Sequence, residues 1–253
     1  MRGLPIYWKF LTHQSSSNLT EQQAVMRPVF KLLKKYKIVL IADREFHSIF
    51  RSHWLKKYQK YNVYFALRRK NSTMIKRGQK YCNISELKVN IGETKLFLNQ
   101  KITKIKRVGM YNLLIYEKQR YRHKSVSEKW YILSNLSTAG KVKKVYSQRM
   151  GIEAMFKDYK TGGYNLESSK ANEKRLNNLI LLIAISYTIN SLAGEKIKNK
   201  RIQEYISRTN EKRRKYRRHS NFYLGLSGIN WIVNDNFMWE LVGDLMMLNP
   251  HKT

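Results

Sequence analysis

The sequence predicts an α/β fold: a mixed layer of strands and helices that carries an inserted antiparallel β subdomain. Three observations lead there. KIVLIAD (Lys37–Asp43) is a continuous apolar run ending in a carboxylate, the pattern of a strand buried on both faces. Residues 37–70 then run strand, helix, strand, which signals parallel pairing. From Asn71 to about Lys129 the texture changes to short alternating segments (LKVNI, KLFLN, TKIKRV, YNLLIYE), the mark of antiparallel hairpins.

Taken in order, LPIYWKFL (Leu4–Leu11) is strand-like and HQSSSN (His13–Asn18) is a loop. In EQQAVMRPVFKLLKKY, Val25, Val29, Leu32, Leu33 and Tyr36 recur at helical spacing, and Pro28 points to a helix start or a kink. REFHSIFRSHWLKKY places Phe46, Ile49, Phe50, Trp54 and Leu55 on one helical stripe, and NVYFALRRK (Asn62–Lys70) is the next strand. After the β-rich insertion, WYILSNL (Trp130–Leu136) returns to the layer, STAGK turns, and a helix follows with YSQRMGIEAMFKDYK (Tyr146–Lys160). Leu176–Leu192 is a mostly apolar helix. Its apolar run is too short to cross a bilayer, so it is expected to be buried. RTNEKRRKYRRHS (Arg208–Ser220) is a dense basic run, and the remaining residues are rich in Trp and Met. The expected division is 1–70, first part of the α/β core; 71–129, the insertion; and 130–253, second part of the core with C-terminal helices and the basic segment.

Composition narrows the partners. Fifty Lys and Arg against seventeen Asp and Glu leave a net charge of +33, which opposes compaction and is explained by a polyanionic partner, nucleic acid being the most common, with a ribosomal or membrane-surface protein as the alternatives. Five Trp, seventeen Tyr and nine Phe belong to a packed domain, not a basic tail. Cys82 is the only cysteine, which excludes an intrachain disulfide and a thiolate zinc cluster. With no continuous apolar leader in MRGLPIYWKFL, the expected location is the cytoplasm.

Two segments carry candidate chemistry. Asp43 stands at the C-terminal end of a strand, where open α/β sheets place functional groups. By position alone it reads first as the N-cap of the helix beginning at Arg44, since Asp is a preferred cap. In the second segment, Tyr146, Arg149, Glu153 and Lys160 fall within an arc of about 60° if the helix is continuous. Such a stripe is either a solvated ion-paired face or a surface that holds phosphates with Tyr, Arg and Lys while one carboxylate meets a metal.

IADREF followed by Tyr-x-x-Arg-x-x-x-Glu-x-x-x-x-x-x-Lys resembles the bacterial insertion-sequence DDE transposases, in the branch marked by a Tyr-Arg-Glu-Lys signature. LPIYWKFL, HSIFRSHWL, FALRRK, WYILSNL and FYLGLSGINWI resemble further segments of that family, so the likeness covers nearly the whole chain. The resemblance implies a ribonuclease-H-like mixed sheet with a β-rich insertion before the Glu. It implies two Mg²⁺ ions held by three carboxylates, with Asp43 as the second acid and Glu153 as the third. The ions would serve water-driven nicking of a transposon end and then attack by the freed 3′-hydroxyl. Tyr146, Arg149 and Lys160 would contact phosphates of the transposon end, and the synaptic complex would pair two copies at the nucleoid. Arg44 is assigned either this service or a structural one. Trp130 stands as a core residue or as an aromatic that stacks a flipped base. From charge, Arg213, Arg214, Arg217 and Arg218 in the basic run stand either as a solvated face or as a patch for the DNA backbone.

The family pattern is incomplete. Residues 1–42 contain no Asp, and their only acid is Glu21, which suits a helix start better than a metal shell. The expectation is a transposase lacking its opening strands and first catalytic Asp, inactive alone, with an unpaired sheet edge and low stability. The alternative is a non-catalytic DNA-binding protein that interferes with a full-length transposase.

Overall fold

The computed structural model describes residues 3–11, 13, 16–104, 108–118, 129–160, 164–202 and 219–234. They divide into two compact units, Ile6–Arg149 and a second made of Met1–Pro5 with Met150–Thr253.

The unit Ile6–Arg149 is a mixed sheet with helices. Helix α1 (Leu19–Leu32) starts at a capping box: the Asn18 side chain accepts from the Glu21 N–H and Glu21 accepts from the Asn18 N–H. Glu21 is thereby spent as a cap. Pro28 lies inside α1, so the helix begins well before it. Then come β1 (Ile38–Ala42), a 3₁₀ turn (Arg44–Phe46), α2 (Ile49–Lys57) and β2 (Val63–Arg68). The strands β3 (Met74–Arg77), β4 (Lys80–Asn83), β5 (Thr94–Lys101), β6 (Met110–Glu117) and β7 (Lys129–Ser134) precede helix α3 (Ala139–Ser147).

Among the described residues five strands form one sheet in the order β1-β2-β7-β6-β5. β1 and β2 are parallel, and the remaining pairs are antiparallel. This is the mixed α/β architecture expected, and it agrees with a ribonuclease-H-like sheet. The insertion divides: β3 and β4 form a separate two-stranded sheet, while β5 and β6 extend the main one. Strand alternation sends β2 side chains to opposite faces. Phe65 and Leu67 join Ile49 and Leu55 of α2, whereas Ala66 joins Val142 and Tyr146 of α3.

Two expectations are corrected. Residues 4–11 carry no strand, and Leu4, Ile6, Tyr7 and Leu11 of this apolar stretch are exposed. β1 is only half-buried along its length because, among the described residues, it is an edge strand.

Among its described residues the second unit is helical. It contains most of α4 (Arg149–Lys160), then α5 (Glu173–Asn199) and α6 (Asn221–Asn234). Backbone contact of α5 with α6 depends on two glycines. A Cβ on Gly194 would lie 1.7 Å from the Asn221 carbonyl oxygen, and one on Gly225 would lie 1.8 Å from that of Asn190. Gly194 faces the start of α6 and Asn190 faces a later turn, so the helices run antiparallel. Met155, Tyr159, Ile183, Tyr187 and Phe222 make the core. Within it, the Tyr187 hydroxyl donates to Asp158 Oδ2 at 3.2 Å. The expectation that α5 is buried holds for one side only: Leu181, Leu182, Ile185, Ile189 and Leu192 are exposed. α5 is also longer than its apolar run suggested, and by length and composition alone it suffices to cross a membrane.

Candidate active site

The parallel register of β1 and β2 pairs Ala42 with Leu67, which sets Asp43 and Arg68 side by side at the C-terminal ends of the two strands. Asp43 occupies the cap position of the 3₁₀ turn but makes no side-chain capping bond. Its carboxylate turns to cations instead. Arg149 Nη1 donates to Oδ2 at 3.3 Å, and Arg68 Nη1 stands 3.9 Å from Oδ1. The Asp43 side chain is 42% exposed, whereas Arg68 is 4% exposed. The pair therefore joins a half-open carboxylate to a buried guanidinium.

Tyr146 lies in the core beneath this group. Its ring packs edge-on against Trp130 at 5.1 Å, and Trp130 does the same against Tyr116 at 5.4 Å. The Arg149 guanidinium lies 5.9 Å from the Tyr146 ring centre. Burial pushes the Tyr146 phenol up to about 12, against the opposing pull of Arg149 and Arg68. The hydroxyl therefore stays protonated at neutral pH.

The predicted four-residue stripe is not one helix. It breaks at Gln148 between α3 and α4, so Tyr146 belongs to α3, while Arg149, Glu153 and Lys160 belong to α4. Tyr146 and Arg149 fall with Asp43 in the unit Ile6–Arg149; Glu153 and Lys160 fall in the other. Glu153 and Lys160 are both exposed, seven residues apart on one face of α4. Arg44 is exposed, and its carbonyl lies 2.8 Å from His47 Nδ1. Arg213, Arg214, Arg217 and Arg218 lie outside the described residues.

Sequence reading missed Arg68. The signal was present in FALRRK: once KIVLIAD and NVYFALRRK pair in parallel with their ends level, the residue beside Asp43 must be an arginine. What alternation could not supply was the register.

A family model described as a transposase DDE domain matches residues 3–189. No curated protein matches the chain.

Proposed function

Since the chain belongs to the DDE transposases, whose substrate is DNA and whose chemistry is DNA transposition, we propose that Asp43 and Glu153 are its second and third catalytic acids and that it is inactive by itself. The observation that carries this reading is the contact of Asp43, at the end of β1, with Arg149 of the Tyr-Arg-Glu-Lys segment. Residues far apart in sequence meet at the place where an α/β sheet presents its chemistry.

Domains of this family depend on a divalent metal. The carboxylate of Asp43 has the hard oxygens that Mg²⁺ prefers, but it is paired with the guanidiniums of Arg149 and Arg68, which a bound ion would have to displace. The donors fall short of a two-ion shell. Among the described residues no three His, Cys, Asp or Glu gather into one group. Glu21, the only acid before Asp43, is engaged in capping α1. These residues alone do not assemble the three carboxylates that in-line strand transfer between two ions requires.

What remains is recognition. Arg149 and Lys160 serve backbone phosphates at a transposon end, as do Arg213, Arg214, Arg217 and Arg218, while Tyr146 supports Arg149 from below. Pairing of two copies across transposon ends, a cytoplasmic site at the nucleoid, and the division at residues 70/71 and 129/130 belong to the same proposal. The second reading, a non-catalytic DNA binder that competes with a complete transposase, draws on the same ion-paired Asp43.

A strand-transfer assay with pre-nicked transposon ends and Mg²⁺ tests both. The expected result is salt-sensitive DNA binding without joined product. Joined product that Glu153→Gln abolishes would show that the chain is catalytically complete.

A further inference from the structure

Two arginines lie on the α2 face of the sheet, inside the unit Ile6–Arg149. Arg51 of α2 is 2% exposed, and Arg69, one residue past β2, is 4% exposed. Neither has a carboxylate partner among the described residues. Arg69 Nη1 donates to the His47 carbonyl, and the Arg51 guanidinium lies 4.9 Å from the centre of the Phe46 ring. That leaves Arg51 Nε, Arg51 Nη1 and Arg69 Nε buried with no hydrogen-bond partner. The Tyr111 hydroxyl of β6 is buried and unpartnered as well.

The two guanidiniums can only donate, and the Tyr111 hydroxyl has a proton to donate as well. Burial, reinforced by the nearby charge of Arg69, lowers Arg51 to about 10; burial also brings Arg69 to about 10, so both stay charged at neutral pH. Burial lifts Tyr111 to about 12, and its proton stays on. A third cation borders the cluster: Lys56 donates to the Met110 carbonyl at 3.0 Å and lies over the Tyr111 ring at 5.6 Å. Buried charges without a counter-charge are costly, and orphaned donors cost again. A partner that accepts from every side and carries negative charge removes both costs.

We propose that Arg51, Arg69 and Tyr111 form a binding site for a small inorganic anion, chloride or phosphate, enclosed between α2 and the sheet. Burial of all three excludes a nucleic-acid strand as the occupant. The anion would also steady the turn that follows Asp43, because Arg69 holds the His47 carbonyl and Arg51 faces Phe46 of that turn. The site is separate from the Asp43 carboxylate, which pairs with Arg68 and Arg149.

The test is thermal unfolding of the full chain at constant ionic strength, with phosphate or chloride replacing a bulky organic anion. The expected midpoint rise is about 5 °C for the preferred ion. Arg51→Met should abolish the rise, and Tyr111→Phe, which preserves volume, should reduce it. The two ions are distinguished by which gives the larger rise at equal concentration. An equal rise in wild type and both variants would assign the effect to surface lysines and overturn the proposal. Should Arg51→Met fail to fold, Tyr111→Phe and bromide anomalous scattering from crystals decide it. A bromide peak within reach of Arg51 Nη1 and Arg69 Nε supports the site, and water alone there overturns it.

Discussion

Arg68 and Arg69 are neighbours at the end of β2, yet they serve opposite faces of the sheet. Arg68 meets a carboxylate: it points to the α3 face, where Asp43 and Arg149 complete an ion-paired group beside Tyr146. Arg69 points to the α2 face and donates to a carbonyl, where its charge is felt by a second buried arginine and a phenol. The α2 face also carries the larger apolar cluster, with Phe30, Phe65, Leu113 and Leu133, while the α3 face has Ala66, Leu114 and Ile132. The two faces divide labour. One holds the apolar mass that stabilises the sheet, and the other places half-open charge at a strand end.

That contrast can be broken at several points. The largest effect should come from Phe65→Ala on the α2 face, a loss of about 3–5 kcal/mol by urea unfolding. A loss under about 1 kcal/mol would mean that the larger cluster is not the stabilising one. Ile132→Val on the α3 face should cost about 1 kcal/mol in the same assay.

Asp43→Asn should cost about 1 kcal/mol or less, shrinking in high salt, because its carboxylate is half-exposed and screened. Combined with Arg149→Ala, the two losses should not add, since each removes the same contact. Additive losses would show that the Asp43–Arg149 pair carries no coupling.

The smallest effect at neutral pH belongs to Tyr146→Phe, which becomes visible in alkali. The phenol's ordinary value is 10.0 and its folded value is about 12. Below about pH 10 both states keep the proton, and between about 10 and 12 only the unfolded chain releases it. Stability therefore falls across that window. An unfolding series from pH 9 to pH 12 should show a shallower decline for Tyr146→Phe than for wild type. Identical declines would mean that Tyr146 is not buried in solution.

Much of this arrangement follows from sequence alone. The apolar run KIVLIAD makes β1 and leaves Asp43 at its end, because a charged side chain stops a buried strand. The alternation of VYFALRR sorts Phe65 from Ala66 and Arg68 from Arg69, because successive residues of an extended chain face opposite ways. The glutamate three residues after Asn18 starts α1, because a capping box is local chemistry. Tertiary structure decided the rest. The parallel register placed Arg68 beside Asp43, and the fold brought Arg149 across more than a hundred residues to the same carboxylate. The interruption at Gln148 separated Tyr146 from Glu153, and the glycines of α5 and α6 became contacts only when the two backbones met. Periodicity reports which side of an element a residue takes. Which partner waits on that side is set by the chain that packs there.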